Sequence, residues 1–247
     1  MNKNDSLMTI QGGNWDLVVD LVGGRIISLS HTKKRVVGSY HRMDGKMGTT
    51  HLCIPSFDKE GQEKYNLPFH GLVRNKEWMC KNKTERSLTL SCEISPSLSY
   101  PARLSVEQEF RLDGDFIHTI RITHLEGEGV PLNIGCHYYW DTPEGWHETQ
   151  INGINMKEII KTNGYIGLKR TNTITFPHAV YELTSSEFQS AMLWTSFKVN
   201  EKGNRIYNED FCCIEPIIKW PHYFGSEPSI IRPGKSVSAS IHIKKVV

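Results

Sequence analysis

An all-β protein built as a large antiparallel sandwich is predicted by three features of this 247-residue chain. Short runs rich in Val, Ile, Thr, Tyr, Phe and Trp recur from end to end, parted by Gly, Pro, Asn and Asp. Several of those breaks are dipeptides suited to tight hairpins. No stretch sustains the 3.6-residue apolar period of a long amphipathic helix. All-β sandwiches of about 200 to 250 residues form one domain, and no linker or composition shift divides the chain, so residues 1–247 are expected to form a single domain.

The first hairpin is expected over residues 15–22 and 25–29, turning at Gly23-Gly24, where positive φ carries no steric cost. Leu104, Val106, Gln108, Phe110 and Leu112 share one face of an extended segment. Asp113-Gly114 then suits a type I′ turn into a strand over 116–123. Further strands are expected over 133–140, 150–154, 191–199, 211–217 and 236–243, with turns at Asn152-Gly153 and Asn163-Gly164. Residues 185–191 have room for a turn or two of helix, capped by Ser185 or Ser186.

Charge and targeting signals narrow the class of function. Lys and Arg total 29 against 27 Asp and Glu, a formal balance of +2, and the longest basic run is only Lys33-Lys34-Arg35. Neither predicts a nucleic-acid or membrane partner. The N-terminus leads into no apolar leader, and no run approaches the roughly 18 apolar residues of a membrane span, so a cytoplasmic protein is expected. The six cysteines, Cys53, Cys80, Cys92, Cys136, Cys212 and Cys213, include no CxxC pair. They are therefore expected to be reduced core residues rather than zinc ligands or a redox motif.

Four side chains stand out chemically. In an extended segment Asn133, Gly135, His137 and Tyr139 alternate with Ile134, Cys136, Tyr138 and Trp140, which turns His137 toward a groove if the other set packs inward. A histidine titrating near 6.5 can give or take a proton at neutral pH, or simply fill a structural hydrogen bond. Glu215 sits in Phe211-Cys212-Cys213-Ile214-Glu215-Pro216-Ile217, where an ionised carboxylate is costly to bury. It is either a base with a raised pKa or half of a structural ion pair with Arg74. Arg74 can equally offer its planar fork to a ligand's hydroxyls or phosphate, beside His70 on the Pro68-Phe69-His70-Gly71 turn.

The segment Pro68-Phe69-His70-Gly71-Leu72-Val73-Arg74-Asn75-Lys76-Glu77-Trp78 resembles the HGxxR…W signature of the aldose 1-epimerase (galactose mutarotase-like) superfamily. Gly135-Cys136-His137-Tyr138-Tyr139-Trp140 resembles that family's G-x-H-P-Y-F stretch, and Cys213-Ile214-Glu215-Pro216 its x-x-E-P stretch. Gly23 to Leu29 is similar to its early G-G-x-I-x-S-L hairpin, and Ile231-Arg232-Pro233-Gly234-Lys235 to its closing L-x-P-G-E. The resemblance implies a galactose mutarotase-like supersandwich with sugar bound on a concave face. It implies Glu215 as base, His137 as acid, His70 and Arg74 as sugar ligands, and no metal or organic cofactor. The implied reaction interconverts the α and β anomers of a free or phosphorylated aldose; a carbohydrate-binding or regulatory module on the same fold is the alternative. Two positions depart from the pattern: Tyr138 stands where proline is common and Trp140 where phenylalanine is. Gly48-Thr49-Thr50-His51 also occupies the place of the Arg-Gly-Gly of the hexose-6-phosphate branch.

Overall fold

The computed structural model describes residues 6–57, 59–162, 164–220 and 227–246, and two nine-stranded sheets dominate it. Sheet I runs Leu7–Gly12, Trp15–Asp20, Arg25–His31, Lys34–Val37, Gly135–Asp141, Phe211–Ile217, Ser190–Trp194 and Tyr165–Gly167, with His51–Cys53 also paired to Gly135–Asp141. Sheet II runs Ile154–Asn155, Gln150–Ile151, Thr171–Phe176, Ala179–Thr184, Ser236–Lys245, Asp115–Gly127, Ala102–Asp113, Ser87–Ile94 and Met79–Lys83.

Period-two alternation sets which face of the long sheet II strands is buried. Along Ala102–Asp113 the residues Ala102, Leu104, Val106, Gln108, Phe110 and Leu112 are buried, while the intervening ones are half-buried or exposed. Phe116, His118, Ile120 and Ile122 do the same on the next strand. This face meets Leu17, Val19, Ile26, Leu29, Cys136, Tyr138, Trp140 and Ile214 of sheet I in one continuous buried cluster. Each such side chain contributes about 1.5–3 kcal/mol by leaving water, and the stacked arrangement is the expected antiparallel sandwich.

One polar chain crosses this apolar layer. The Gln108 amide donates to Gly24 O at 2.8 Å, and its carbonyl oxygen accepts from His118 Nε2 at 3.3 Å. The remaining ring nitrogen, Nδ1, accepts from the Tyr138 hydroxyl at 2.7 Å. Every member is satisfied with neutral groups alone, which is how polar side chains are tolerated in a low-dielectric layer.

Several local expectations change in the folded chain. Asp113 pairs directly with Asp115, leaving Gly114 alone at the bend with φ +87°. Asp113 stays extended there, accepting from Arg111 at 2.6 Å, so the two-residue type I′ turn does not form. The single strand expected over 150–154 is a hairpin, Gln150–Ile151 and Ile154–Asn155, because Asn152 and Gly153 both adopt positive φ. The 191–199 strand breaks after Trp194, and Phe197–Val199 pairs with Arg205–Tyr207 in a separate ribbon. Residues 185–191 form no helix: the Ser185 hydroxyl accepts from the Glu187 and Phe188 amides, after which the chain enters Ser190–Trp194. The expected Asn163-Gly164 turn includes Asn163, which lies outside the described residues. All six cysteines are free, but Cys80 is exposed on the edge strand Met79–Lys83 rather than in the core. Among the described residues two helices, Lys59–Tyr65 and Met156–Thr162, have seven residues each. No described helix is long and apolar enough to cross a membrane.

Candidate active site

Strand alternation decides where His137 points. Cys136, Tyr138 and Trp140 belong to the layer between the sheets, so Gly135, His137 and Tyr139 face the other side of sheet I. His137 pairs with His51 and Gly135 with Cys53 on one neighbouring strand. On the other side Tyr139 pairs with Cys213 and Gly135 with Ile217. Met192 pairs with Glu215 and Trp194 with Cys213 one strand further. Residues far apart in sequence thus share one outward face, and His137 Nε2 lies 3.5 Å from Glu215 Oε2.

A cavity of about 270 Å³ covers that pair, lined by Arg42, Phe57, Phe69, His70, His137, Tyr165, Met192, Trp194 and Glu215. Its size lies just under the roughly 300–1,000 Å³ of pockets for drug-sized ligands, on the scale of a monosaccharide. A larger open groove of about 560 Å³ at the sheet edge, lined by Gln11, Asp16, Lys33, Glu85 and Arg86 among others, brings no histidine to its carboxylates. Close packing builds the smaller cavity. A Cβ on Gly135 would come within 2.4 Å of the Phe57 ring, so glycine is what lets that ring lie against the strand.

The Pro68–Gly71 turn delivers His70. Gly71 N donates to Pro68 O at 2.8 Å, and His70 and Gly71 both take positive φ, +65° and +76°. A side chain at Gly71 would meet Ile54 O at 2.1 Å, so position 71 is closed to other residues. His70 itself is a non-glycine residue in the left-handed region, an uncommon state that costs energy and clusters at functional sites. Its Nδ1 donates to Phe57 O at 3.0 Å, which leaves Nε2 as the acceptor nitrogen.

Aromatic rings wall the acid–base pair. His137 stacks on Tyr139 at 4.8 Å with an interplanar angle of 8°, and Trp194 stands edge-on at 6.2 Å. His51 and His70 rings lie 4.9 and 5.1 Å from His137. The Arg42 guanidinium sits 5.1 Å over Trp194 and bonds Asp44 at 2.9 Å, with its Nε buried and unpartnered.

Burial dominates the protonation states. It raises the Glu215 carboxyl well above the ordinary carboxylate range, opposed by the Arg42 charge. It drives His137 well below 6.5, helped by His51, His70, Arg42 and Arg74. His70 falls to about 3 and His51 to about 4, again chiefly through burial, with the Arg74 charge adding to both. Burial therefore favours the neutral pair, a protonated Glu215 carboxyl beside a neutral His137 imidazole, over the two separate charges. His137 Nδ1 is buried and without a partner.

Of the four residues singled out from sequence, His137, Glu215 and His70 come together on the cavity wall. Arg74 is not among the lining residues; its main-chain oxygen accepts from Arg25 at 2.8 Å, and its charge reaches the histidines through space. Arg42 and Trp194 do line the wall, and neither carries a signal in the sequence. Arg42 precedes Met43-Asp44-Gly45, which looks like any exposed turn, and no local pattern announces its approach to Trp194. Tyr138 and Trp140, the two departures from the motif, point into the core between the sheets and leave the cavity untouched. Trp146 packs in the same core.

A sequence model of the aldose 1-epimerase family matches residues 32–190. No curated protein sequence matches the chain. Solved structures do resemble it. A galactose mutarotase related enzyme from Lactobacillus acidophilus superposes with a TM-score of 0.77 at 13% identity, over 98% of this chain and 97% of that one. A galactose mutarotase-like protein from Lactobacillus casei gives 0.77 at 14%, over 97% and 100%. Another from Clostridium acetobutylicum gives 0.71 at 14%, over 97% and 95%.

Proposed function

We propose that this chain, which belongs to the aldose 1-epimerase family, opens and recloses the ring of an aldose and so interconverts its anomers. The convergence of the buried His137 and Glu215 side chains, 3.5 Å apart on the wall of one small cavity, carries the reading. Ring opening requires a proton to leave the anomeric hydroxyl and another to reach the ring oxygen. A pair that holds one proton in total can do both without drawing on solvent.

Glu215 acts as base and His137 as acid. Glu215 takes the anomeric proton, His137 protonates the ring oxygen, and the bond from C1 to that oxygen breaks to give the open-chain aldehyde. Rotation about C1–C2 presents the other carbonyl face, and the two groups reverse roles to close the ring. Burial favours the proton on Glu215, while the Arg42 charge lowers the carboxyl's proton affinity. Arg42 thus favours the carboxylate form that base action needs, and by lowering the proton affinity of His137 it sharpens that residue as an acid. A sugar hydroxyl offers the orphaned His137 Nδ1 the partner it lacks.

His70 Nε2 and Arg42 orient the sugar, and Trp194 and Phe69 offer apolar surface to its C–H faces. Arg74 acts through its field, which adds to burial in lowering the proton affinity of His70 and His137. Anomer-exchange NMR on glucose, galactose and their 6-phosphates tests the reading with Glu215→Gln. The substitution keeps the shape and removes the base, so exchange should fall by about 10² to 10⁴-fold. Undiminished exchange in the variant would eliminate the mechanism, whereas tight sugar binding with no exchange by the wild type would leave a carbohydrate-binding module.

A further inference from the structure

Beside the cavity His70 joins two donor side chains, His51 and Cys53, that anomer exchange does not use. His51 and Cys53, two apart on one strand, project to the same face. They meet His70 there: Cys53 Sγ lies 3.4 Å from His70 Nδ1, and the His51 and His70 rings are 5.4 Å apart, edge to face. One ligand atom from each of His51, Cys53 and His70 falls within 4.8 Å of the other two.

The hydrogen bonds leave this cluster with an unused acceptor. His51 Nδ1 donates to Thr49 O at 2.7 Å, so Nε2 carries the lone pair. That nitrogen is buried and has no partner. A buried unpaired acceptor is costly, and here it is accompanied by an imidazole and a thiol, the donor types preferred by soft to borderline divalent metals.

We propose that His51, Cys53 and His70 form a binding site for a borderline-soft divalent cation of the Zn²⁺ type, and that filling it withdraws His70 from the sugar cavity. The metal bonds to His51 Nε2, to Cys53 Sγ and to a ring nitrogen of His70. Zinc holds nitrogen at about 2.0–2.1 Å and sulfur at about 2.3 Å, so the three donors must draw closer than their present spacing. The Cys53 thiol loses its proton to solvent as the metal–sulfur bond forms, and no electron is transferred. The fourth position takes water. Because His70 lines the cavity while His51 and Cys53 are not among its lining residues, a metal here pulls on a sugar ligand from outside the lining and inhibits without occupying the sugar's place.

Inhibition rests on the proposed role of His70 in sugar binding, but metal binding does not. Co²⁺ titrated into the full-length protein, free of sugar, reports the site through thiolate-to-cobalt charge-transfer absorption. One equivalent should produce the band. Cys53→Ser and, as a second variant of the same site, His51→Gln should abolish it. Cys213→Ser and Cys80→Ser should retain it, since the first probes the neighbouring His137–Cys213–Glu215 cluster and the second the exposed thiol. No band in the wild type, a band surviving in both Cys53→Ser and His51→Gln, or a band lost in Cys213→Ser or Cys80→Ser would overturn the site. Stoichiometric Zn²⁺ should slow anomer exchange by about tenfold, the cost of one strong hydrogen bond, and a chelator should restore it. A cobalt band without zinc inhibition would overturn the withdrawal of His70 and leave the metal site standing.

Discussion

Acidification should unfold this protein partly through one histidine remote from the cavity. His118 is 2% exposed between the sheets, accepting at Nδ1 from Tyr138 and donating from Nε2 to Gln108. Burial lowers its pKa to about 3, against 6.5 for an exposed histidine. The unfolded chain therefore binds the proton more readily than the folded one between those values. Its contribution to stability is complete above about pH 6.5 and is lost progressively as pH falls toward 3. Going from about pH 7 to about pH 4.5 covers two units of that window, and at about 1.4 kcal/mol per unit the loss is about 2.7 kcal/mol. That is a sizeable fraction of the 5–15 kcal/mol that holds a typical domain together.

The contribution can be isolated by a double difference. Urea unfolding of wild type and His118→Gln at both pH values gives four stabilities. The cost of the substitution at neutral pH, and the titration of every other group, cancel between them. Wild type should lose about 2.7 kcal/mol more than the variant on acidification. Equal losses, within a few tenths of a kcal/mol, would refute the assignment of a neutral, buried His118.

Two further outcomes follow from the cavity. The depressed His137 and raised Glu215 shift in opposite directions, which widens the pH range over which the pair holds one proton. The kcat/KM for anomer exchange, corrected for the uncatalysed rate, should therefore be flat there, with its acid limb below 6.5 as a second proton reaches His137 and its alkaline limb well above 4.5 as Glu215 loses the last. An acid limb centred at or above 6.5 in pH-dependent exchange measurements would contradict this. Arg42→Met removes both the cation over Trp194 and the charge that favours the Glu215 carboxylate. It should lower kcat/KM by about 10 to 100-fold, the worth of a charge-assisted contact, and an unchanged kcat/KM would remove Arg42 from the mechanism.

What the sequence determined by itself was whatever rests on local chemistry and period. Alternation in residues 102–112 identified the buried face, and in 133–140 it separated the set packed between the sheets from the set that includes His137, because side chains on a strand have a period of two, whatever they pack against. The Gly23-Gly24 hairpin was legible because both glycines take positive φ. The short motifs around His70, His137 and Glu215 named three cavity residues and the family without any coordinates. Where local signals competed with partners, only the tertiary structure decided. Residues 191–199 have strand composition throughout, yet Trp194 ends one sheet and Phe197 begins a ribbon, because different partners were available to each half. Arg42 reached the cavity over Trp194 while Arg74 stayed outside its wall, and the His51–Cys53–His70 cluster formed with no CxxC spacing to announce it. Each is a juxtaposition across strands and loops distant in the chain. Spacing along one chain carries no information about which distant side chain a given loop will meet; the registers between strands and the close packing of glycines such as Gly71 and Gly135 do.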